Sequence, residues 1–324
     1  ATSIACLGVD FMAESVSAIL DKNGFGHIPV YRLKAEAIGC SLAESAERDS
    51  YRAWLEMAAK NKKGPALHVV YINTSLETKA VSQSIVPTIT CTSSNVLKTI
   101  MQASAQIGPD LQVYYGPDTY MGENLVTMIE AILAHQDADG NAIWDDDRIS
   151  KELHPLHTRA SLQKLREGMN VFPHGNCVVH HMFGADVVEL VRNNYEDSFV
   201  TAHLEVPGEM FEIAMEKSLE GKGTVGSTSD ILKFITKKVT EAASEEQQSK
   251  QPKQRRLKFI LGTEAGMVTS IVRSVEGILQ EKGSKLVEAE IVFPVASEAV
   301  TMVEGDADLS IVPGVSGGEG CSTA

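Results

Sequence analysis

The sequence predicts an α/β protein with parallel sheets, on the basis of two observations. Short apolar runs of strand length alternate with stretches in which apolar residues recur at helical spacing. In addition, one motif occurs three times at the junction between an apolar run and the helical stretch that follows it. Strands that alternate with helices along a chain are typical of parallel sheets joined by right-handed crossovers.

The predicted strands are runs rich in β-branched, leucine and aromatic residues. They lie at residues 67–72, 111–115, 199–202, 257–261 and 289–293. The predicted helices carry apolar side chains at positions i, i+3, i+4 and i+7, which form one face of a helix. They lie around residues 51–58, 96–101, 125–132 and 231–239.

The recurring motif consists of a glycine, an acidic residue two positions later and a methionine. Its copies lie at residues 8–12, 116–121 and 262–267. The second copy follows two related segments, and so does the third. These segments are residues 71–73 and 91–95 in one case, and residues 203–205 and 226–230 in the other.

The repeats predict two complete αβα units and the tail of another. We place the tail at residues 1–40, the second unit at 41–177 and the third at 178–324, with polar insertions near 136–148 and 244–256. We expect the units to pack about a pseudo-threefold axis around a central site. The carboxyl ends of the strands would face that site, because ligands bind at this end of parallel sheets.

Composition narrows the function. The chain of 324 residues is 43% hydrophobic and 22% charged, as in soluble globular proteins, and it contains no apolar run long enough for a transmembrane helix. Its 29 lysines and arginines against 43 aspartates and glutamates give a net charge of −14, which argues against nucleic-acid binding. Five widely spaced cysteines do not suggest a disulfide framework, so we expect an intracellular protein.

Three of the cysteines bear the same relation to the repeats. Cys40, Cys177 and Cys321 each follow one copy of the motif. Such a set suits a metal ion or an iron–sulfur cluster with three thiolate ligands, which would leave one iron open. The alternative is that they are buried packing residues, as unbridged cysteines often are. Cys91 lies inside a unit, where Gly226 is its counterpart, and is predicted to be a packing residue.

Polar residues follow the predicted strands at matching positions. Tyr71 and Asn73 end one strand, and His203 and Glu205 end another. A histidine beside a carboxylate can transfer protons, although such a pair can also serve only to hold a loop. The hydroxyl-rich turns at residues 92–95 and 227–230 could bind a carboxylate or phosphate at a helix start, or could simply cap the helix.

Taken in order, these segments resemble the quinolinate synthase family. The resemblance rests on residues 8–14, 71–75, 91–95, 116–118, 177–180, 203–205, 226–228 and 262–264, and it covers nearly the whole chain. The ending at residues 313–321 resembles the plant and algal type. The family implies a three-unit αβα fold around a central [4Fe–4S] cluster. It condenses iminoaspartate with dihydroxyacetone phosphate to quinolinate, with loss of phosphate and water, in NAD biosynthesis.

The resemblance assigns roles to particular residues. Cys40 and Cys177 match cluster ligands, and the family's third ligand would lie beyond residue 324, so Cys321 is not matched to it. Nothing in this sequence matches the substrate-binding strand end of the family's first unit. We expect Glu205 to act as acid and base with His203 and Tyr71, and His180 to hold the loop of Cys177. The residues matched to substrate binding are Tyr71, Asn73, Ser93, His203, Glu205 and Thr228.

The resemblance also implies the partners. These are the two small-molecule substrates, without nucleic acid or membrane. It is compatible with a transient contact to the enzyme that supplies iminoaspartate, and with a homodimer. We expect a plastid location if the source is a plant or alga, and the cytoplasm otherwise. Two other functions fit the residues: a non-catalytic or electron-transfer iron–sulfur protein, and a cluster-free α/β protein that binds small acids.

Overall fold

The computed structural model describes residues 1–32, 35 and 38–295. These residues form two compact units, residues 1–177 and residues 178–295. Helices and parallel strands alternate through both of them, which confirms the predicted α/β class. The pseudo-threefold arrangement and the boundary at residue 40 stay predictions.

The first unit contains two parallel sheets and the helices that connect their strands. Its elements are β1 (Ile4–Cys6), α1 (Asp10–Lys22), β2 (Val30–Arg32), α2 (Ser41–Glu47), α3 (Asp49–Ala59), β3 (Ala66–Tyr71), α4 (Leu76–Ile85), β4 (Thr88–Cys91), α5 (Val96–Ile107), β5 (Gln112–Gly116), α6 (Thr119–Ala134), α7 (Asp146–Arg148), a π-helical turn (Ile149–Leu153), α8 (Arg159–Glu167) and β6 (Met169–Val171).

The second unit contains one parallel sheet among its described residues. Its elements are α9 (Val178–His181), α10 (Ala185–Asn194), β7 (Phe199–His203), α11 (Gly208–Leu219), β8 (Gly223–Gly226), α12 (Thr228–Gln248), β9 (Arg255–Gly262), α13 (Met267–Lys282) and β10 (Val287–Val292).

The four-stranded sheets of the two units have the same design. The strand order is β4-β3-β5-β6 in the first unit and β8-β7-β9-β10 in the second. The registers also match. Tyr71 pairs with Cys91 as His203 pairs with Gly226, and Val70 pairs with Gly116 as Ala202 pairs with Gly262. The repeated sequence segments therefore occupy equivalent places in the two sheets.

The smaller sheet of the first unit consists of β1 and β2, which pair in parallel. Helix α1 begins at Asp10, within the first motif copy that follows β1, just as α6 and α13 begin within the copies that end β5 and β9. Asp10 forms an ion pair of 2.5 Å with Arg32 at the end of β2. This strand–helix–strand order is compatible with a repeat tail, which stays a prediction.

Helical periodicity accounts for the cores. In the second unit, Ile231, Ile235 and Val239 of α12 pack against Phe259 and Leu261 of β9, and all five are buried. In the first unit, the buried face of α3 carries aromatic residues that contact Phe172 after β6. No helix among the described residues combines the length and apolar character needed to span a bilayer.

The polar insertion near residues 244–256 stays a prediction, but its first part is helical and not a solvated loop. Helix α12 continues to Gln248 and β9 begins at Arg255, so the connection between them is short. Glutamate, glutamine and lysine favour helices when one face stays apolar, and Ala242 and Ala243 extend the buried face of α12. Near 136–148, by contrast, Gln136 forms an isolated bridge with Ala142 outside the sheets.

Three short strands of the main sheets were absent from the sequence prediction. They are β4, β6 and β8. Strand β8 is Gly-Thr-Val-Gly and β4 alternates threonine with isoleucine and cysteine, so neither contains a continuous apolar run. Their positions follow from pairing with β3 and β7, which a single-sequence pattern does not reveal.

Tyr51 and His68 form a buried hydrogen-bonded pair in the first unit. The Tyr51 hydroxyl lies 2.7 Å from His68 Nε2, and burial lowers the pKa of His68 to about 3, so its imidazole is neutral at ordinary pH.

Tyr51→Phe would leave a buried imidazole nitrogen without this partner. We expect the free energy of unfolding to fall by about 1–3 kcal/mol, measured in urea. Tyr31→Phe, at a residue 57% exposed, is the matched control and should cost little. Equal costs would contradict the assignment.

Candidate functional site

Polar side chains gather at the carboxyl edge of each four-stranded sheet. In the first unit, Tyr71 ends β3 and is buried, whereas Asn73 and Ser93 are half-buried in the turns that follow β3 and β4. In the second unit, His203 ends β7 and Glu205 follows it, both buried, and Thr228 opens α12 after β8. Within each unit, parallel pairing therefore brings the predicted residues to one edge.

In the hydroxyl-rich turns, the residues that cap the helix or hold the turn are not the residues predicted to bind substrate. Ser227 is the residue that caps α12: its hydroxyl and backbone form a reciprocal capping box with Asp230. Thr228 comes next and is not the cap. In the first unit the Asn95 side chain accepts a hydrogen bond from Thr92 N at 2.8 Å, and Thr92 and Ser94 hydroxyls lie 2.9 Å apart. Neither predicted binding residue, Ser93 or Thr228, supplies these contacts.

The second unit contains a buried histidine–carboxylate cluster. His180 Nδ1 lies 2.8 Å from Glu205 Oε2, and His203 Nδ1 lies 3.5 Å from the same oxygen. The two imidazole rings stack with centroids 4.6 Å apart and planes 12° apart. All three side chains are at most 6% exposed. We expected His180 to hold the Cys177 loop, and its contact with Glu205 is an addition that sequence reasoning missed.

Burial controls the protonation of this cluster. It lowers the pKa of His203 to about 4, against an ordinary value of 6.5. Glu205, Glu264 and Asp230 oppose the shift because their negative charges favour the imidazolium, whereas His180 adds to it. His203 is therefore neutral at neutral pH, and one ring nitrogen can donate while the other accepts.

Glu264 joins the cluster, although it was not among the predicted site residues. Its Oε2 lies 3.8 Å from His180 Nε2, and the buried Thr263 hydroxyl donates a hydrogen bond to the same carboxylate. The equivalent Asp118 instead caps its own helix, α6, by accepting from Met121 N at 2.7 Å. The sequence could have pointed to Glu264, because it is the acidic residue of the third motif copy.

The two predicted cluster ligands of the first unit lie beside one hydrogen bond. Ser41 Oγ donates to Asn176 O at 3.0 Å, so Cys40 and Cys177 flank a bonded pair. Both thiols are buried, and the Asn176 Oδ1 atom at the same place is buried without a hydrogen-bond partner. Neighbouring soft thiolate donors in a dry setting fit an iron–sulfur cluster.

The remaining cysteines behave differently. Burial raises the pKa of the Cys91 thiol to about 12, and Cys91 pairs with Tyr71 in the sheet, as expected of a packing residue. Cys321 lies outside the described residues, as does the third ligand that the resemblance implies. The part of the chain that the structure describes therefore contains two of the three predicted ligands.

The fold and these clusters define an α/β protein with polar sites at the carboxyl edges of parallel sheets, where proteins of this class bind small molecules. A family model described as quinolinate synthetase A protein matches residues 1–278. The chain belongs to this family.

Curated relatives agree with this assignment. A chloroplastic quinolinate synthase of Nicotiana tabacum is 49% identical over 98% of this chain and 43% of its own length. That of Oryza sativa subsp. japonica is 46% identical over 98% of this chain and 45% of its own length. A quinolinate synthase of Sulfurisphaera tokodaii is 28% identical over 83% of this chain and 61% of its own length. The chain thus spans less than half the length of these plant relatives.

The histidine cluster predicts a measurable titration. His203 should remain neutral down to a pKa of about 4, and Glu205→Gln should lower its pKa further because a favourable negative charge is lost. Since this pKa lies below the unfolded value, the unfolded state binds protons first, and stability should fall as pH drops from about 6.5 towards 4. Imidazole NMR titration of wild type and variant measures both pKa values. A wild-type pKa near 6.5, or a rise in the variant, would contradict this account.

Proposed function

We propose that this protein is a quinolinate synthase that condenses iminoaspartate with dihydroxyacetone phosphate and releases phosphate and water. Family membership supports the reaction class. The observation that carries the proposal is the His180–Glu205–His203 cluster, because it places a buried carboxylate beside two imidazoles at the edge where parallel sheets bind ligands.

Glu205 is proposed as the acid–base residue. Its Oε2 atom lies 2.8 Å from His180 Nδ1, so a proton can pass between this carboxylate and this imidazole at hydrogen-bond distance. His203 Nδ1 lies 3.5 Å from the same oxygen and accepts a hydrogen bond from Glu205 N at 3.3 Å. Because His203 is neutral at neutral pH, it can donate to a substrate oxygen without carrying a charge into the dry site. Tyr71, at the equivalent strand end of the first unit, is proposed to donate its phenolic proton in the same way.

The substrates carry carboxylate and phosphate groups, which need hydrogen-bond donors. We assign this role to the hydroxyls of Ser93 and Thr228, the amide of Asn73, and the side chains of Tyr71 and His203, while Glu205 contacts the substrate as the acid–base residue. Ser93 and Thr228 lie near helix starts, where backbone N–H groups favour anions. These local donors would allow an anionic substrate to bind even though the whole chain has a net charge of −14.

Cys40 and Cys177 are proposed to hold a [4Fe–4S] cluster with a third ligand outside the described residues. When bound, such a cluster supplies an open iron that acts as a Lewis acid. We also propose that the protein forms a homodimer and makes a transient contact with the enzyme that supplies iminoaspartate. The chloroplastic relatives support a plastid location for this protein.

Replacement of the carboxylate tests the proposed chemistry. In anaerobically purified protein, Glu205→Gln should reduce quinolinate formation by about 100-fold or more, since general acid–base groups contribute on that scale. Iron content and cluster absorbance should stay at wild-type values. Glu209→Gln, at an exposed position of α11, is the matched control and should keep full activity. Full turnover by Glu205→Gln would remove this residue from the acid–base role.

Iron analysis tests the proposed ligands separately. Cys40→Ser and Cys177→Ser should each abolish stable binding of iron and sulfide after anaerobic reconstitution, because a thiolate ligand is lost. Cys91→Ser removes an equally buried thiol that is not a proposed ligand and should retain the cluster. Circular dichroism checks that the variants fold. Retention of wild-type iron by the folded Cys40 and Cys177 variants would contradict the assignment.

A further inference from the structure

The turn that carries Asn73 is held by a lysine from the next helix. Lys79 lies on α4, and its Nζ atom donates hydrogen bonds to Ile72 O at 3.0 Å and Thr74 O at 2.5 Å. These two carbonyls flank Asn73 on either side. One side chain therefore fixes the backbone on both sides of a proposed substrate-binding residue.

Other contacts also hold the turn, and Thr74 N donates to Ile72 O at 2.7 Å, so Lys79 shares that carbonyl, whereas Thr74 O accepts from the lysine. Thr74 is fully buried and its hydroxyl donates to Tyr71 O at 3.1 Å. Ile72 N donates to Cys91 O at 2.9 Å, which ties the turn to the neighbouring strand. The backbone entering the turn is thus anchored to β4, while the Lys79 ammonium holds the part around Asn73.

The second unit has no charged residue at the position equivalent to Lys79. By the matching register of β3 and β7, Asn73 corresponds to Glu205, Thr74 to Val206 and Lys79 to Phe211. Val206 and Phe211 are both fully buried, so the second unit has apolar side chains at the positions that Thr74 and Lys79 occupy in the first. Lys79 is consequently a feature of the first unit and not a general requirement of the fold.

Burial disfavours the charged form of the Lys79 side chain. Burial lowers its pKa to about 8, and the nearby Glu14 of α1 acts in the opposite direction. The Glu14 carboxylate also accepts a hydrogen bond from Leu76 N at the start of α4. At neutral pH most molecules still carry the ammonium, which donates more strongly than a neutral amine.

We propose that Lys79 is a positioning residue that holds the turn of residues 72–75 in the conformation with which Asn73 binds substrate. The ligand it serves is a small dicarboxylate, so the inference rests on the proposed function of the same edge. Lys79 acts through the backbone of the turn and does not itself touch the substrate.

Two measurements on the full chain test this inference. Lys79→Met keeps the length of the side chain but removes its donors. Hydrogen exchange of the amides at residues 72–75 should accelerate about ten-fold, and the dissociation constant for quinolinate, measured by calorimetry, should rise about ten-fold. Lys79→Arg should restore much of both. Lys60→Met, at an exposed position after α3, should change neither.

A double-mutant cycle separates positioning from general stability. In an Asn73→Ala background, Lys79→Met should cause little further loss of quinolinate affinity, because the residue it positions is gone. Unchanged exchange in Lys79→Met would overturn the inference, and so would faster exchange with wild-type affinity, or full additivity with Asn73→Ala. Wild-type protein that binds no quinolinate would count against the proposed function, while the exchange result would still decide whether Lys79 holds the turn.

Discussion

Parallel pairing is the constraint on which the candidate site depends. When all strands of a sheet run in one direction, their carboxyl ends meet at a single edge, and the turns that follow them carry side chains into a common space. In the second unit this brings Glu205 after β7, Thr228 after β8 and Glu264 after β9 to one edge. In the first unit the same order places Asn73 and Ser93 together. Both sheets are covered by helices, which supply the apolar burial that makes such edges rigid.

Burial then determines what these edges can do. A carboxylate that is nearly sealed from water needs partners, and Glu205 finds them in His180 and His203. Desolvation in turn keeps His203 neutral at neutral pH. The first unit has no equivalent charged pair at its matching positions, where it carries Tyr71 and Asn73. At this turn, Lys79 donates hydrogen bonds to two backbone carbonyls.

The sequence predicted much of this because the repeat carries positional information. Matching Gly-x-acid motifs located the ends of β5 and β9, and strand periodicity placed Tyr71 and His203 at equivalent positions. The contact between His180 and Glu205 could not be predicted, because it depends on how the four-residue helix α9 packs against a distant strand end. The roles of Asp118 and Glu264 were equally hidden: one caps a helix and the other reaches a histidine, although their motifs are alike. The end of α12 was misplaced because a polar stretch looks similar in a helix and in a solvated loop.

The identical register of the two main sheets has an evolutionary consequence. A gene that contains two copies of one scaffold can change one copy while the other preserves the ancestral contact. Here the equivalent positions differ in kind: tyrosine corresponds to histidine, asparagine to glutamate, and cysteine to glycine. A repeated scaffold can therefore place an uncharged side chain in one unit where the other unit places an ionisable one.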